Sequence, residues 1–229
     1  MYWQEEDDPN EAYQVPDDVF DVVFKLAGGR LAVDHAQALA DAVCAKLSAD
    51  AHSQIGIHQI RVAESGNGWQ RPGMGGEMLH LSRRTKLVLR VHQGIYEDVL
   101  RLCDSTLEID GQALKVGAGS VRKLTAMTTL FTHGIACDEV QSESQFLVDM
   151  ASALQTMEIR VKKMICGTTN SIQTDKGSIF TRALMVANLT PEESVLVQQQ
   201  GIGSDRLMGC GLFVAHRGID AVFTEQQTL

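Results

Sequence analysis

The sequence has few prolines, few aromatic residues and no long apolar segment. Four prolines stand among 229 residues, and phenylalanine, tryptophan and tyrosine together make up 5%. No apolar run approaches the roughly 20 residues that a membrane helix needs, and residues 1–21 lack the basic-then-apolar order of a signal peptide. We therefore expect no membrane span and a cytoplasmic location.

Cysteine is also sparse, and its spacing argues against two kinds of site. The cysteines are odd in number and widely scattered, with no C-x-x-C pair: Cys44, Cys103, Cys137, Cys166 and Cys210. Such spacing favours reduced thiols over a disulfide framework or a zinc site. We expect no metal ion and no cofactor.

The remaining composition is that of a globular protein with an uneven charge. Hydrophobic residues make up 44% of the chain, which suits one large domain or two small ones. The net charge of −9 alone speaks against a nucleic-acid-binding protein. However, residues 1–21 hold eight acids and no Lys or Arg, which leaves 21 acids against 20 bases in residues 22–229. The acidic segment, residues 1–18, is either a flexible tail or a contact for a basic partner.

The bases of the remaining chain are clustered. Local basic patches bind phosphates even in an acidic protein, and the alternative is that these clusters are ordinary solvated faces. The clusters are Arg83, Arg84, Lys86 and Arg90; Arg122 and Lys123; and Arg160, Lys162 and Lys163.

Apolar periodicity predicts the same order of elements twice. In the first half, strands are predicted over 19–26, 55–63, 86–91 and 106–116, the last with a turn at 110–111, and helices over 36–47 and 95–103, the first capped by Asp34. In the second half, strands are predicted over 122–135, 162–166, 179–187 and 210–215, and helices over 142–157, capped by Ser142, and 190–200.

These patterns predict an α+β protein of two ferredoxin-like domains, each β-α-β-β-α-β, the plan of RNA-recognition modules. We expect the N-terminal domain over 19–118 and the C-terminal domain over 119–229. A glycine-rich loop is expected over 65–76, where Trp69 could stack on an unpaired base or pack in the core.

A second glycine-rich segment, 199–213 (QQGIGSDRLMGCGLF), joins the last helix to the last strand. Its glycines are spaced G-x-G, five residues, G-x-G, and Arg206 lies between the pairs. Backbone N–H groups and this guanidinium could together cradle a phosphate. The alternative is a glycine-rich turn needed for packing. The spacing is neither a dinucleotide fingerprint nor a Walker loop.

This segment resembles the signature loop of the CRISPR repeat-processing endoribonucleases, members of the RAMP superfamily. Five further stretches are similar to the subtype-variant branch of that family: VDHAQAL at 33–39, GIHQIRVAESGNGWQRP at 56–72, LSRRTKLVLRV at 81–91, KKMICG at 162–167 and TRALMVANL at 181–189. The resemblance implies metal-independent cleavage of a CRISPR precursor transcript within each repeat. The products would carry a 5′-hydroxyl and a 2′,3′-cyclic phosphate, and the mature RNA would enter an interference complex with other subunits.

Cleavage of this kind needs a group that accepts the 2′-OH proton and a group that protonates the leaving oxygen, and histidine suits both roles. His35 lies where the family commonly places its catalytic histidine, at the start of the first helix, and His58 lies in a matching stretch. We expect these two to converge on the scissile phosphate. The alternatives are a capping or core role for His35 and a buried position in the strand for His58. His52, after the first helix, is a weaker candidate, and His80, His92, His133 and His216 match no motif.

The resemblance and the charge pattern together give a set of expected RNA contacts. Arg83, Arg84 and Lys86 precede a strand and could hold the RNA backbone, and Arg182 lies in the hairpin with which the family approaches the RNA stem. The full set is Arg83, Arg84, Lys86, Lys162, Lys163, Arg182, Gly201, Gly203, Arg206, Gly209 and Gly211.

Two other functions remain open at this stage. A non-catalytic RNA-binding subunit of an interference complex would share the fold and the glycine-rich segment without needing a histidine. An RNA-recognition module outside CRISPR biology would share the fold alone. Cleavage of repeat RNA in EDTA distinguishes an endoribonuclease from these two alternatives.

Overall fold

A computed structural model of the chain describes residues 13–61 and 78–216. Within the first half, the elements are β1 (Val19–Ala27), β2 (Arg30–Ala32), α1 (Ala36–Cys44), β3 (Ile55–Ile57), β4 (Met78–His80), β5 (Lys86–His92), α2 (Tyr96–Val99), β6 (Thr106–Ile109) and β7 (Gln112–Lys123). The predicted loop over 65–76, with Trp69, and residues 1–12 of the acidic segment lie outside the described residues.

The main sheet of the N-terminal half has the strand order β3-β5-β1-β7-β6, with antiparallel pairing throughout. β6 extends the edge of a ferredoxin-like sheet, and β2 pairs with β4 apart from it. Alternate residues of β1, among them Phe20, Val22 and Phe24, enter a core that α1 covers through Leu39 and Val43. Burial of these alternating apolar side chains fixes which face of the sheet is open.

The C-terminal half repeats the plan with fewer strands. Its elements are β8 (Thr129–Ala136), α3 (Glu143–Thr156), β9 (Lys163–Thr174), β10 (Gly177–Ala187), α4 (Pro191–Gln200) and β11 (Val214–Ala215). The strand order β11-β8-β10-β9 is that of a ferredoxin-like unit, so the predicted fold class is confirmed. Leu130, Phe146 and Leu184 lie in the core between this sheet and its helices.

Two helix starts follow the local sequence. Ser142 caps α3 by accepting a hydrogen bond from the Gln145 N–H, as predicted. Thr190 and Glu193 form a reciprocal capping box at the start of α4. The predicted Asp34 cap is wrong, because the Asp34 carboxylate accepts from the Gln173 N–H of β9 at 2.9 Å and leaves His35 at the N-cap position of α1.

Several strand boundaries differ from the sequence-based ones. β7 continues to Lys123, which pairs with Phe20, so the predicted domain boundary at 118/119 falls inside a strand of the N-terminal sheet. The strand predicted over 122–135 is divided between β7 and β8, and the strands predicted over 55–63 and 210–215 are shorter. Strand length here depends on which partner strand is available, and apolar alternation does not carry that information.

A buried ion pair connects the two halves. The guanidinium of Arg90 (β5, 1% exposed) donates to Asp21 Oδ1 of β1 at 2.8 Å, and its Nη1 donates to the carbonyl oxygens of Gln198 and Phe213, both at 2.8 Å. One side chain of the N-terminal sheet therefore binds the end of α4 and the segment entering β11. The face of the N-terminal sheet that carries Arg90 is thus turned toward the C-terminal half.

None of the helices in the described part of the chain is long and apolar enough to cross a bilayer.

We predict that Arg90→Met lowers the free energy of unfolding by about 3 kcal/mol, because it leaves the Asp21 charge buried with only part of its compensation. Urea denaturation of the full chain measures the effect. Arg101→Met is the matched control: Arg101 is 65% exposed and pairs with Asp98 at the surface, so the loss should stay below about 1 kcal/mol. Equal losses in the two variants would contradict the assigned role of Arg90.

Candidate functional site

Charged and imidazole side chains gather beside the Asp21–Arg90 pair on the open face of the N-terminal sheet. Asp21 is 4% exposed, and its Oδ2 also accepts from Arg122 Nη2 at 2.9 Å. His58 Nε2 lies 3.6 Å from Asp21 Oδ1. Despite burial, the nearby imidazole of His58 and the charge of Arg90 hold the pKa of Asp21 far below its usual range. A permanent carboxylate therefore stands next to one imidazole and two guanidinium groups.

His58 is placed by β3 and its partner strand. Its backbone N–H donates to Val88 O at 3.0 Å, which continues the β3–β5 pairing by one residue. Its side chain is 18% exposed, and Nε2 has no hydrogen-bond partner within 3.5 Å. Burial lowers the pKa of His58, aided by the charge of Arg90 and opposed by Asp21. The ring is therefore neutral at pH 7 and holds a nitrogen that can accept or pass on a proton.

His35 is fully engaged by the backbone. It is 3% exposed, its Nδ1 lies 2.9 Å from Ala32 O and 3.1 Å from Val33 O, and its Nε2 accepts from the Ile60 N–H at 3.1 Å. Burial lowers its pKa. The ring is thus the neutral Nδ1–H tautomer, and it joins the start of α1 to the segment that carries His58. His35 thus contacts Ile60, two residues after His58. Of the two predicted catalytic histidines, only His58 reaches the cluster around Asp21.

The structure brings His133 to the same region, although the sequence analysis set it aside. His133 lies on β8 of the C-terminal sheet, and its ring meets that of Phe131 edge-to-face at 4.8 Å. Although His133 keeps an exposed surface, partial loss of water around the ring, together with the charge of Arg61 and the nearby imidazole of His58, lowers the pKa of His133 to about 4. Its proximity to His58 comes from the approach of two sheets, which no local sequence pattern indicates.

The glycine-rich segment lies between the two halves of the molecule. A Cβ on Gly209 would come within 3.1 Å of Ile57 O, and the Gly211 N–H donates to Gly134 O at 2.8 Å. Gln59 Nε2 donates to Met208 O at 3.1 Å. The segment is thus packed against β3 on one side and β8 on the other. This geometry fits the packing interpretation of its glycines.

Arg206 also has a structural partner. Its guanidinium donates to the carbonyl oxygens of Gln199 and Gln200 at the end of α4, where carbonyls lack intrahelical partners. Burial lowers the pKa of Arg206. A Cβ on Gly201 would lie 2.6 Å from this guanidinium. Of the four glycines, Gly203 alone is exposed, and the guanidinium of Arg206 is engaged by contacts within the chain.

The other predicted RNA contacts divide into two groups. Arg83, Arg84, Lys162 and Lys163 are exposed, and Lys86 is partly exposed. Arg182 instead faces α3: its Nη2 donates to Gln141 O at 2.7 Å, and its guanidinium lies 6.0 Å from the centre of the Phe146 ring.

A cleft of about 500 Å³ adds two bases that the sequence analysis missed. Lys25, Arg83 and Lys115 line it, with Asp104 as the one acid of the lining. Lys25 pairs with Lys86 across β1 and β5, four residues along β1 from Asp21. A basic surface therefore continues along the N-terminal sheet from the Asp21 cluster. Among residues 13–61 and 78–216, no group of three or more His, Cys, Asp and Glu side chains is arranged to hold a metal ion.

Comparison with known proteins places this arrangement in a family. The family model described as Cas6 Crispr matches residues 20–218, which include nearly all of both sheets. The chain belongs to the Cas6 family. The resemblance seen in the sequence is therefore confirmed, and the endonuclease class of activity agrees with a curated member: the CRISPR-associated endonuclease Cas6 of Myxococcus xanthus (strain DK1622) is 29% identical over 195 residues, 85% of this chain and 80% of that protein.

Solved structures of Cas6 proteins share the fold. A CRISPR associated protein Cas6 superposes with a TM-score of 0.58 at 10% identity, over 87% of this chain and 100% of that one. A Cas6-related protein from Pyrococcus furiosus gives 0.59 at 10% identity, over 85% and 97%. Thermus thermophilus Cse3, bound to an RNA representing a pre-cleavage complex, gives 0.52 at 10% identity, over 87% and 100%.

We predict that Gly211→Ala lowers the free energy of unfolding by at least about 2 kcal/mol. Gly211 has φ +68°, a left-handed conformation that penalises a side chain, and its Cβ would collide with the Ile202 backbone. Thermal and urea unfolding measure the loss. Gly94→Ala is the control, because nothing lies within 4 Å of its Cβ and its φ is ordinary. A Gly211→Ala variant of unchanged stability but weaker RNA binding would instead favour the phosphate-cradle interpretation.

Proposed function

We propose that this chain is an endoribonuclease that cleaves CRISPR precursor RNA within its repeats and acts in the cytoplasm. The observation that carries the proposal is the Cas6 family match over residues 20–218. The Asp21 cluster supports it, because imidazole and guanidinium groups meet there between two RNA-recognition-like sheets. The Myxococcus xanthus relative is named as an endonuclease, and the Thermus thermophilus structure holds RNA before cleavage.

The proposed reaction is attack of a ribose 2′-oxygen on the adjacent phosphorus. The 2′-OH loses its proton to a base, the phosphorus–5′-oxygen bond breaks, and the departing oxygen takes a proton. The products are a 2′,3′-cyclic phosphate and a 5′-hydroxyl. The crowded phosphorane carries extra negative charge, which a fixed guanidinium stabilises.

His58 and Arg122 are our candidates for two of these roles. The neutral His58 ring accepts the proton, and Asp21, 3.6 Å from Nε2, stabilises the resulting imidazolium. Arg122 is 57% exposed and uses one nitrogen on Asp21, which leaves other donors of its guanidinium for a phosphate.

His35 can serve as the second imidazole only if one of its hydrogen bonds opens. Its Nε2 lone pair is occupied by the Ile60 N–H, so the segment from His58 to Ile60 must move when RNA binds. We propose that His35 acts in this way, with the positive end of α1 favouring its neutral form.

For RNA binding we propose the exposed bases of the predicted set, Arg83, Arg84, Lys86, Lys162 and Lys163. The mature RNA would then pass to other subunits of an interference complex. The alternative, a non-catalytic RNA-binding subunit, is favoured by one observation: both nitrogens of His35 are already engaged.

We predict cleavage of repeat RNA at one position in EDTA, because the proposed base and charge stabiliser are side chains. Denaturing gels and mass spectrometry of the fragments identify the termini, with a mass 18 Da below that of the linear phosphate marking the cyclic product. A substrate with 2′-deoxyribose at the mapped position is the control and should remain intact. Strict dependence on magnesium, or a linear 3′-hydroxyl, contradicts the mechanism, and binding without cleavage supports the alternative.

We predict that His58→Ala reduces the single-turnover rate by about 10²–10⁴-fold with little change in Kd, as expected when an acid–base group is lost. Because the pKa of His58 lies below 6.5, the wild-type rate should rise with pH through that lower value and be level above pH 6.5. His58→Ala should lose this inflection. His92→Ala, exposed at the end of β5, is the control.

His35 is tested in the same assay with a stability measurement. His35→Ala should lose both rate and stability, whereas His35→Gln keeps a hydrogen-bonding side chain of similar length and should recover part of the stability and none of the rate. Recovery of both would show that His35 is structural alone.

A further inference from the structure

The C-terminal sheet has an apolar row on the face that its helices do not cover. On the covered face, Leu130 pairs with Val186, and both are fully buried in the core. On each strand, the side chain of the neighbouring residue points to the opposite, uncovered face of the sheet. Phe131 pairs with Met185 and with Val214, and Met185 pairs with Ile165. These four residues, Val214, Phe131, Met185 and Ile165, cross β11, β8, β10 and β9 as one row, the open-face row.

This row is accessible and carries aromatic rings at its centre. Ile165 is 51% exposed, and the other three members are partly exposed. The ring of His133 meets Phe131 edge-to-face at 4.8 Å, and that of His216 lies 5.9 Å from Phe131 with the ring planes at 50°. Phe131 is therefore held by a ring on either side, which limits the conformational freedom lost when a flat ligand stacks on it.

Cationic side chains lie near the row. Lys163 precedes Ile165 by two residues on β9, so it lies on the same face and is exposed. Arg61 and the imidazole of His58 also act on His133, and both oppose its protonation. A flat apolar surface edged by cations suits a nucleotide, whose base stacks while its phosphate meets the cation.

We propose that the open-face row binds an unpaired base of the RNA substrate, with Phe131 as the stacking surface. The inference rests on the proposed function and deepens it, since it assigns a single-stranded nucleotide to the C-terminal sheet. The row lies close to the Asp21 cluster, because Gly209 packs against Ile57, next to His58, and the Gly211 N–H donates to Gly134 O on β8, three residues from Phe131. A nucleotide stacked there would lie beside the proposed cleavage site.

Phe131→Ala tests the assignment in the full chain. The ligand is repeat RNA with 2′-deoxyribose at the mapped cleavage position, so that binding is measured without cleavage. We expect Kd to rise about 5- to 150-fold, which corresponds to about 1–3 kcal/mol per stacked base. Phe131→Trp should bind as wild type does, because it keeps a stacking ring. Val148→Ala, 57% exposed on α3, is the matched control and should leave Kd unchanged.

An abasic scan of the RNA separates stacking from other causes. At one position, removal of the base should weaken binding by the wild-type chain and leave binding by Phe131→Ala unchanged. Ile165→Ala, a truncation at the accessible end of the row, should give a smaller loss at the same position, and circular dichroism confirms that both variants fold. Wild-type affinity in Phe131→Ala, as expected if the row binds a protein instead, overturns the proposal, and so does a loss that no abasic position removes. A wild-type chain that binds no repeat RNA contradicts the proposed function itself.

Discussion

One buried ion pair lies at the contact between the two halves and holds their sheets together. Asp21 and Arg90 face each other from the neighbouring strands β1 and β5, and Arg90 alone binds two carbonyl oxygens of the C-terminal half. A buried guanidinium is stable only if its donors are satisfied, and here each of three partners lies within 2.8 Å. Together with the contacts of the glycine-rich segment, the pair favours one docking geometry. That geometry brings the open faces of the two sheets together, and with them His58 and His133.

The glycine-rich segment also holds the two halves together, because it packs between β3 and β8. It must pass between β3 and β8 closely enough for Gly211 to bind the backbone of Gly134. A Cβ on Gly211 would collide with the Ile202 backbone, and one on Gly209 would crowd Ile57 O at 3.1 Å. Arg206 folds back on the end of α4, close to the carbonyl of Gln198 that Arg90 binds. The glycines are therefore explained by close approach of backbones, before any contact with RNA is considered.

The sequence predicted the fold better than it predicted the site. Periodic apolar residues and caps such as Ser142 are local signals, and they led to the ferredoxin-like order of the principal elements, although β2 and β4 were not predicted. The site depends on pairs far apart in the chain, such as Asp21 with Arg90 and His58 with His133, which periodicity does not encode. One signal was available: Asp21 interrupts VFDVVF and Arg90 interrupts KLVLRV, and a charge in the middle of an apolar strand requires a partner. His35 matched a family motif, but the three backbone contacts that engage it could be seen only in three dimensions.

Local charge resolves how an acidic chain can act on RNA. At the cluster, one carboxylate, Asp21, is matched by two guanidinium groups, Arg90 and Arg122, and the nearby imidazoles are neutral. The site therefore carries a net positive charge, whatever the total for the chain. Because cations and loss of water lower the pKa of His58, a bound phosphate can change that pKa strongly. A phosphate entering between Arg122 and His58 brings negative charge to the ring and raises its pKa, so the imidazole becomes a stronger base once RNA is bound.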